Sequence, residues 1–377
     1  VLFGLAPARA AGRARLELGS RGGGGRRAGN ALVVAEVALA LLLVIAAGLS
    51  LRSFARLIQV NPGFQPQQVL TFGTHLSGAN YRTSAARAAL DQRVLDRLAA
   101  LPGVAAAALG TNLPLTGNHS RSDVAIANRP VPARGHLPHP DFHAVSPGYL
   151  AALGLPLLRG RNFTAADNAT APEVAWVSAS FARQYWPDTD AVGQQFWKGR
   201  PGPDNHDLTT VVGVVGDTKQ YGLDAATRLE IYLPFQQSAS SNPQFLLRTK
   251  LRPLDLAAAA AGALHASDPT LPATDMQTMA AVVAASVANA RAILWLLGVF
   301  GGLALTLALI GIYGVVANAT QQRTREIGIR MALGAAPAAI ARMVLGETVG
   351  WVGLGSGLGL AAALGTGRLL ASQLYGG

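Results

Sequence analysis

Hydrophobic positions along this chain form long unbroken runs at three places and short periodic stretches elsewhere. Three windows are nearly free of charge. Between Arg27 and Arg52 the only charged residue is Glu36, and none lies between Arg291 and Arg323 or between Glu347 and Arg368. A hydrocarbon core about 30 Å thick needs roughly 20 apolar residues in a helix. Each window supplies that length, so the pattern predicts transmembrane helices over residues 30–52, 291–320 and 344–370.

Residues 53–290 follow shorter periods. Leu51, Phe54 and Ile58 extend the first helix as an amphipathic stalk, and Asn61-Pro62-Gly63 breaks it. Residues 69–74, 173–178 and 209–215 are β-branched, apolar runs that read as strands. Residues 83–101 predict an amphipathic helix with Leu90, Val94, Leu98 and Leu101 on one face and Arg87, Asp91 and Arg97 opposite. A second, alanine-rich helix is expected over residues 254–265. From about Met276 to Met331 there is no proline, which predicts one stiff helical lever through stalk and membrane. The expected fold is an α-helical membrane protein with an inserted α+β domain.

Charge then sets an orientation. Only 14% of the 377 residues are charged, and the net charge is +11. Residues 52–291 are close to balanced, with 20 basic and 16 acidic side chains. The excess lies in the linker at residues 1–29, with six arginines, and in the loop at residues 321–343. Short basic loops stay cytoplasmic. The basic balance is therefore a topology signal and not a nucleic-acid footprint, and the long domain at residues 53–290 is placed outside, in the periplasm. A signal peptide competes for the first window, but its basic flank and apolar run are both too long. The absence of cysteine excludes disulfides and thiolate chemistry.

Candidate chemistry is sparse. No phosphate-binding loop of the form G-x-x-x-x-G-K-[ST] occurs. Gly357-Leu358-Gly359 imitates part of a dinucleotide fingerprint, but it follows no strand. His136, His139, Asp141 and His143 crowd together, yet Pro138 and Pro140 interrupt them, so a solvated surface loop is expected and not a zinc site. No catalytic, cofactor or metal residues are assigned, and the chain is not expected to be an enzyme. Glu36 lies roughly 8–9 Å inside its helix, where a packing role outweighs a chemical one. The third window carries Gly346/Gly350, Gly353/Gly357 and Gly355/Gly359 at the small-xxx-small spacing that brings helices together.

The most informative segment is the basic loop, QQRTREIGIRMALGA at residues 321–335. Its helical spacing predicts a short amphipathic helix, either lying on lipid phosphates or docking a cytoplasmic protein. This segment resembles the signature of FtsX-like permeases, the membrane subunits of MacB-type ABC transporters. VSPGYL at residues 145–150, GLPLLRGRNF at residues 154–163, DAVG at residues 190–193 and VVGVVGD at residues 211–217 resemble the MacB-like periplasmic core domain in the same order. The resemblance implies an inner-membrane, multi-pass permease with a cytoplasmic amino terminus. It implies a fourth transmembrane helix beyond the three found, so that residues 371–377 form a truncated end, and an opening segment like the tail of a preceding permease half. Implied partners are a cytoplasmic ABC ATPase, a second permease half or homodimer partner, a periplasmic adaptor and the bilayer. Arg323, Arg325, Glu326, Ile327, Gly328, Arg330, Met331 and Gly334 are the implied ATPase-coupling residues. Gly346, Gly350, Gly353 and Gly357 are the expected helix-packing residues. An FtsX-like regulator that activates a periplasmic cell-wall hydrolase without transport is the alternative.

Overall fold

The structure, a computed structural model, describes residues 24–117, 120–133, 135–202 and 208–374. Most of the linker at residues 1–29 lies outside these residues, as do the last three residues. The chain divides into two units, one comprising residues 56–289 and the other the helical segments on either side.

Among the described residues the helical unit holds three helices long and apolar enough to cross a membrane. They are α1 (Gly24–Leu57), α7 (Ala288–Gln322) and α9 (Pro337–Leu374), with the short α8 (Thr324–Ala332) between the last two. Their outward faces are apolar: Leu296, Phe300, Leu303 and Leu307 of α7 are all more than half exposed. Such a surface is stable in hydrocarbon and not in water. Val33, Val37 and Ala40 of α1 pack against Ala308 of α7.

The unit at residues 56–289 is built on one mixed, twelve-stranded sheet among the described residues. The strands are β1 (Val69–Gly73), β2 (Val104–Gly110), β3 (Ser120–Arg121), β4 (Val124–Ile126), β5 (Asp141–Val145), β6 (Leu157–Gly160), β7 (Val174–Ser178), β8 (Gln195–Lys198), β9 (Leu208–Val215), β10 (Glu230–Pro234), β11 (Gln244–Thr249) and β12 (Thr274–Thr278). Their spatial order is β12-β1-β11-β2-β5-β10-β7-β9-β8-β4, with β3 added to β5 and β6 to β9. Helices α2 (Ser84–Ala99) and α5 (Ala257–Ser267) cover the β1/β2/β11 end. Short helices α3 (Tyr149–Leu153), α4 (Ala179–Tyr185) and α6 (Met279–Ser286) complete the unit. Capping explains several starts: Thr83, Ser178 and Thr278 each accept a hydrogen bond from a backbone N–H in the first turn of α2, α4 and α6.

Two cores lie along this sheet. One gathers Leu70, Phe72, Leu90, Leu98, Phe245 and Leu264, and the other Val177, Phe181, Phe196, Val211 and Ile231. They meet at the β2–β5 junction, which has a single paired position, Gly110↔Val145. Elsewhere the ladders are longer, as in the parallel β5–β10 pairing from Asp141↔Glu230 to Val145↔Pro234.

Two sequence expectations are corrected. The lever from Met276 to Met331 is not one helix: residues 276–278 belong to β12, and the helix breaks at Val287 and again at Arg323. Side-chain hydroxyls take main-chain carbonyls at both breaks. Ser286 donates to Val283 O (2.7 Å), and Thr324 donates to Gln321 O (2.9 Å) and Thr320 O (3.1 Å). Asp91 does not face water with Arg87 and Arg97; it is fully buried in α2.

Candidate functional site

Helix α8 is short, charged and exposed. Arg323 occupies its N-cap and is half-exposed, while Arg325 is exposed. Glu326 falls in the first turn and Arg330 in the last, the placements that complement the helix dipole. The two form an i,i+4 ion pair at 2.6 Å. Arg330 also donates to the Met343 sulfur at 2.7 Å, linking α8 to the start of α9. Ile327 is half-buried and Gly328 lies mid-helix. Gly334 ends the segment with φ +90, a left-handed conformation suited to glycine, and its N–H bonds Met331 O at 3.0 Å. Apolar side chains point outward here too: Ile329 and Met331 are more than half exposed, and Leu333 is 83% exposed. Charged and apolar groups thus share one small, uncovered surface.

Within the membrane helices, contact falls on one of the three small-residue pairs in α9. A Cβ at Gly355 would sit 2.8 Å from Val34 O of α1, and one at Gly359 would sit 2.6 Å from Ala38 O. Gly346, Gly350, Gly353 and Gly357 have nothing near them among the described residues. At 100° per residue these four form one stripe, while Val352, Gly355 and Gly359 lie on a different face, the one α1 covers. Glu36 lies against Gly311 of α7, where a Cβ would displace the Glu36 carboxylate. Its Oε2 is buried and makes no hydrogen bond among the described residues.

The histidine-rich segment divides at Pro140. His139 stays exposed and pairs with Asp123 at 2.9 Å. Asp141 and His143, expected in a surface loop, are instead buried in β5. The alternation D-F-H-A-V after the last proline has the strand period, and the strand is central. Asp141 accepts from Arg121 Nε and from Tyr221 Oη, each at 2.9 Å. No cluster able to hold a metal occurs among the described residues.

Next to Asp141, Glu230 is fully buried in β10. Thr218 Oγ1 donates to it at 2.8 Å, and Gln220 and Tyr232 also donate to its carboxylate. Burial pushes its carboxyl up to about 7 against those hydrogen bonds, which favour the charged form. Asp91 has neither carboxylate oxygen hydrogen-bonded, and burial pushes it up to about 8 despite Arg87 nearby. Sequence reasoning missed both acids, because nothing in a local pattern marks an acid for burial.

Two family models match the chain. A family described as MacB-like periplasmic core domain matches residues 29–267, and one described as FtsX-like permease C-terminal matches residues 298–377. The chain is 27% identical over 291 residues to an uncharacterized ABC transporter permease, YknZ, of Bacillus subtilis, covering 71% of this chain and 70% of that one. It is 27% identical over 220 residues to the macrolide export ATP-binding/permease protein MacB of Chromobacterium violaceum, covering 56% of this chain and 33% of the relative. The chain thus spans about a third of that relative's length. Among solved structures it is similar to the periplasmic region of MacB from Actinobacillus actinomycetemcomitans. That match has 12% identity and a TM-score of 0.39, over 60% of this chain and 95% of that one.

Proposed function

This chain belongs to the family of ABC-transporter permeases marked by a MacB-like periplasmic core domain and an FtsX-like carboxy-terminal region, and on that premise we propose that it transmits the motion of a separate ATPase across the membrane to its large domain, driving export of a substrate. The observation that carries this reading is α8. It joins two membrane-crossing helices and leaves Arg325, Glu326, Ile329, Met331 and Leu333 uncovered. An ATPase closing on ATP pushes on such a surface, and the push passes into α7 and α9, which flank it. The breaks at Val287 and Arg323 make the lever jointed, so it transmits force by pivoting at those residues and not as one rigid rod. Residues 56–289 then form the periplasmic output domain of an inner-membrane protein, and the amino terminus is cytoplasmic.

ATP turnover tests the division of labour. The purified chain lacks a G-x-x-x-x-G-K-[ST] loop, so it hydrolyses no ATP alone, and turnover appears when the ATPase subunit is added to the complete permease. Robust hydrolysis by a preparation shown by mass spectrometry to hold no ATPase subunit would overturn the assignment.

Orientation is checked separately in this cysteine-free chain. A Ser240→Cys variant is expected to react with a membrane-impermeant maleimide in spheroplasts, and a Thr324→Cys variant only after lysis. The opposite labelling pattern inverts the topology.

A further inference from the structure

The unit at residues 56–289 contains a groove of about 830 Å³, within the size range of small-molecule sites, roughly 300–1,000 Å³. It opens where β2 and β5 part after their single paired position, and it is lined from both sides of that junction. Gln244, Gln277 and Asp275 come from β11 and β12, while Phe142 and Ser120 come from β5 and β3. We propose that this groove binds an uncharged, hydroxyl-bearing ligand of the saccharide class. The inference goes beyond the permease reading and does not depend on it.

Charge narrows the ligand first. Among the described lining residues there is no lysine or arginine, and Asp275 is the only carboxylate. A phosphate, a nucleic acid or an acidic lipid would enter without a lysine or arginine to offset its desolvation, since of the two lining histidines His75 is bonded to Asn242 and His143 is buried in β5.

The free polar groups narrow it further. Several hydroxyls at the groove are already committed to the protein. Thr74 donates to Pro272 O at 2.9 Å, Thr116 donates to Leu113 O at 2.7 Å, and Thr111 Oγ1 accepts from Ala144 N at 3.2 Å. By contrast, the side chains of Asn112, Gln244, Gln277 and Asp275 make no hydrogen bond among the described residues. Each amide offers a donor and an acceptor side by side, the complement of adjacent hydroxyls on a sugar ring. The Gln244 side chain lies over Gly73, where a Cβ would come within 2.6 Å of its Nε2. Phe142, Leu113 and Leu233 supply apolar surface for the C–H face of a ring.

An extended peptide fits less well. Strand addition needs open backbone groups, and those of β5 in the groove are taken. Thr111 N–H bonds Ala144 O at 3.0 Å, the Ala144 N–H goes to Thr111 Oγ1, and Phe142 is paired with Ser120. Backbone strain marks one wall at Asp275, and also Leu115, which lies between the lining residues Leu113 and Thr116. Asp275 (φ +49) and the buried Leu115 (φ +68) hold left-handed conformations that cost non-glycine residues free energy and that concentrate at functional sites.

The test is titration of the full chain with maltotriose and with triacetylchitotriose, by calorimetry, in lipid nanodiscs free of glycoside detergent. At least one trisaccharide is expected to bind saturably. Affinity is expected to fall at least about tenfold in Asp275→Gly, the scale of one hydrogen bond to a charged group, and similarly in Gln244→Leu. Asp275→Gly also relieves the positive φ, so its fold is not at risk. Three outcomes overturn the proposal: no saturable binding of either sugar, sugar binding unchanged in both variants, or saturation by the neutral hexapeptide Gly-Ser-Gly-Ser-Gly-Ser where neither sugar binds.

Discussion

Replacing Asp91 with leucine is expected to stabilise the sheet domain, by several kcal/mol more at pH 8 than at pH 4. The Asp91 carboxyl is pushed from its ordinary 3.8 to about 8 by burial, with only Arg87 acting against that rise. Between those two values the folded domain keeps a proton that the unfolded chain has released. The proton-linked stability is therefore fully present below about pH 4 and is lost as pH rises through 8. Over that interval each pH unit costs about 1.4 kcal/mol, so the whole cost is several kcal/mol. Against a typical domain stability of about 5–15 kcal/mol, this is a large term. Leucine is similar in volume, prefers the helix, and leaves no unpaired oxygen at a site that now has two. Glu230, raised to about 7, adds a smaller dependence of the same sign that remains in the variant.

Hydrogen exchange of β1, β2 and β11 in the full chain, corrected for intrinsic rates, reads this directly. Protection in the parent should fall from pH 5 to pH 8, and much less in Asp91→Leu. Equal slopes in the two proteins would mean that Asp91 is ionised and solvated in the fold.

Loss of the ATPase from the permease is the expected result of replacing both Arg325 and Glu326 with alanine. The magnitudes separate docking from the simpler view that α8 only rests on lipid. Within α8 the Glu326–Arg330 pair is half-exposed on both sides, and an exposed i,i+4 pair contributes only about 0.3–0.5 kcal/mol. The helix therefore survives the change. A charge pair desolvated in a protein interface costs on the order of 2–5 kcal/mol when one side is removed, which lowers affinity by at least about thirtyfold. For a helix held only by lipid, Glu326→Ala alone is neutral or slightly favourable near anionic headgroups, because it leaves more positive charge. Co-purification of the ATPase with each variant of the complete permease decides between them. Undiminished binding and transport in the double variant would leave only the lipid-anchoring role.

The three membrane helices, the amphipathic helix α2 and the short exposed helix α8 were legible in the sequence, because each depends on a local quantity. A run of apolar residues long enough for the bilayer identifies α1, α7 and α9 whatever they pack against. β-Branched apolar runs identified β1, β7 and β9 but not the central strands β2, β5, β10 and β11. Helix α8 was legible for the same reason: Arg325, Glu326 and Arg330 lie on one short helix, with Arg323 at its N-cap, and its spacing is set by its own backbone.

Tertiary structure decided the rest. Gly346 and Gly355 satisfy the same spacing rule, and only the position of α1 selects Gly355 and Gly359 for contact. Asp91 sits at a helix position that period analysis gives to water, yet it is buried. Asp141 and His143 follow two prolines like any loop, but β10 pairs with them in parallel from a segment 89 residues later, at Glu230↔Asp141 and Tyr232↔His143. The groove exists because β2 and β5 share one paired position before separating, which neither strand's own residues encode. What the sequence alone determined are the elements whose free energy is local, set by bilayer thickness, helical period and caps. What only the tertiary structure decided is which faces meet, because burial and register are properties of pairs of distant segments.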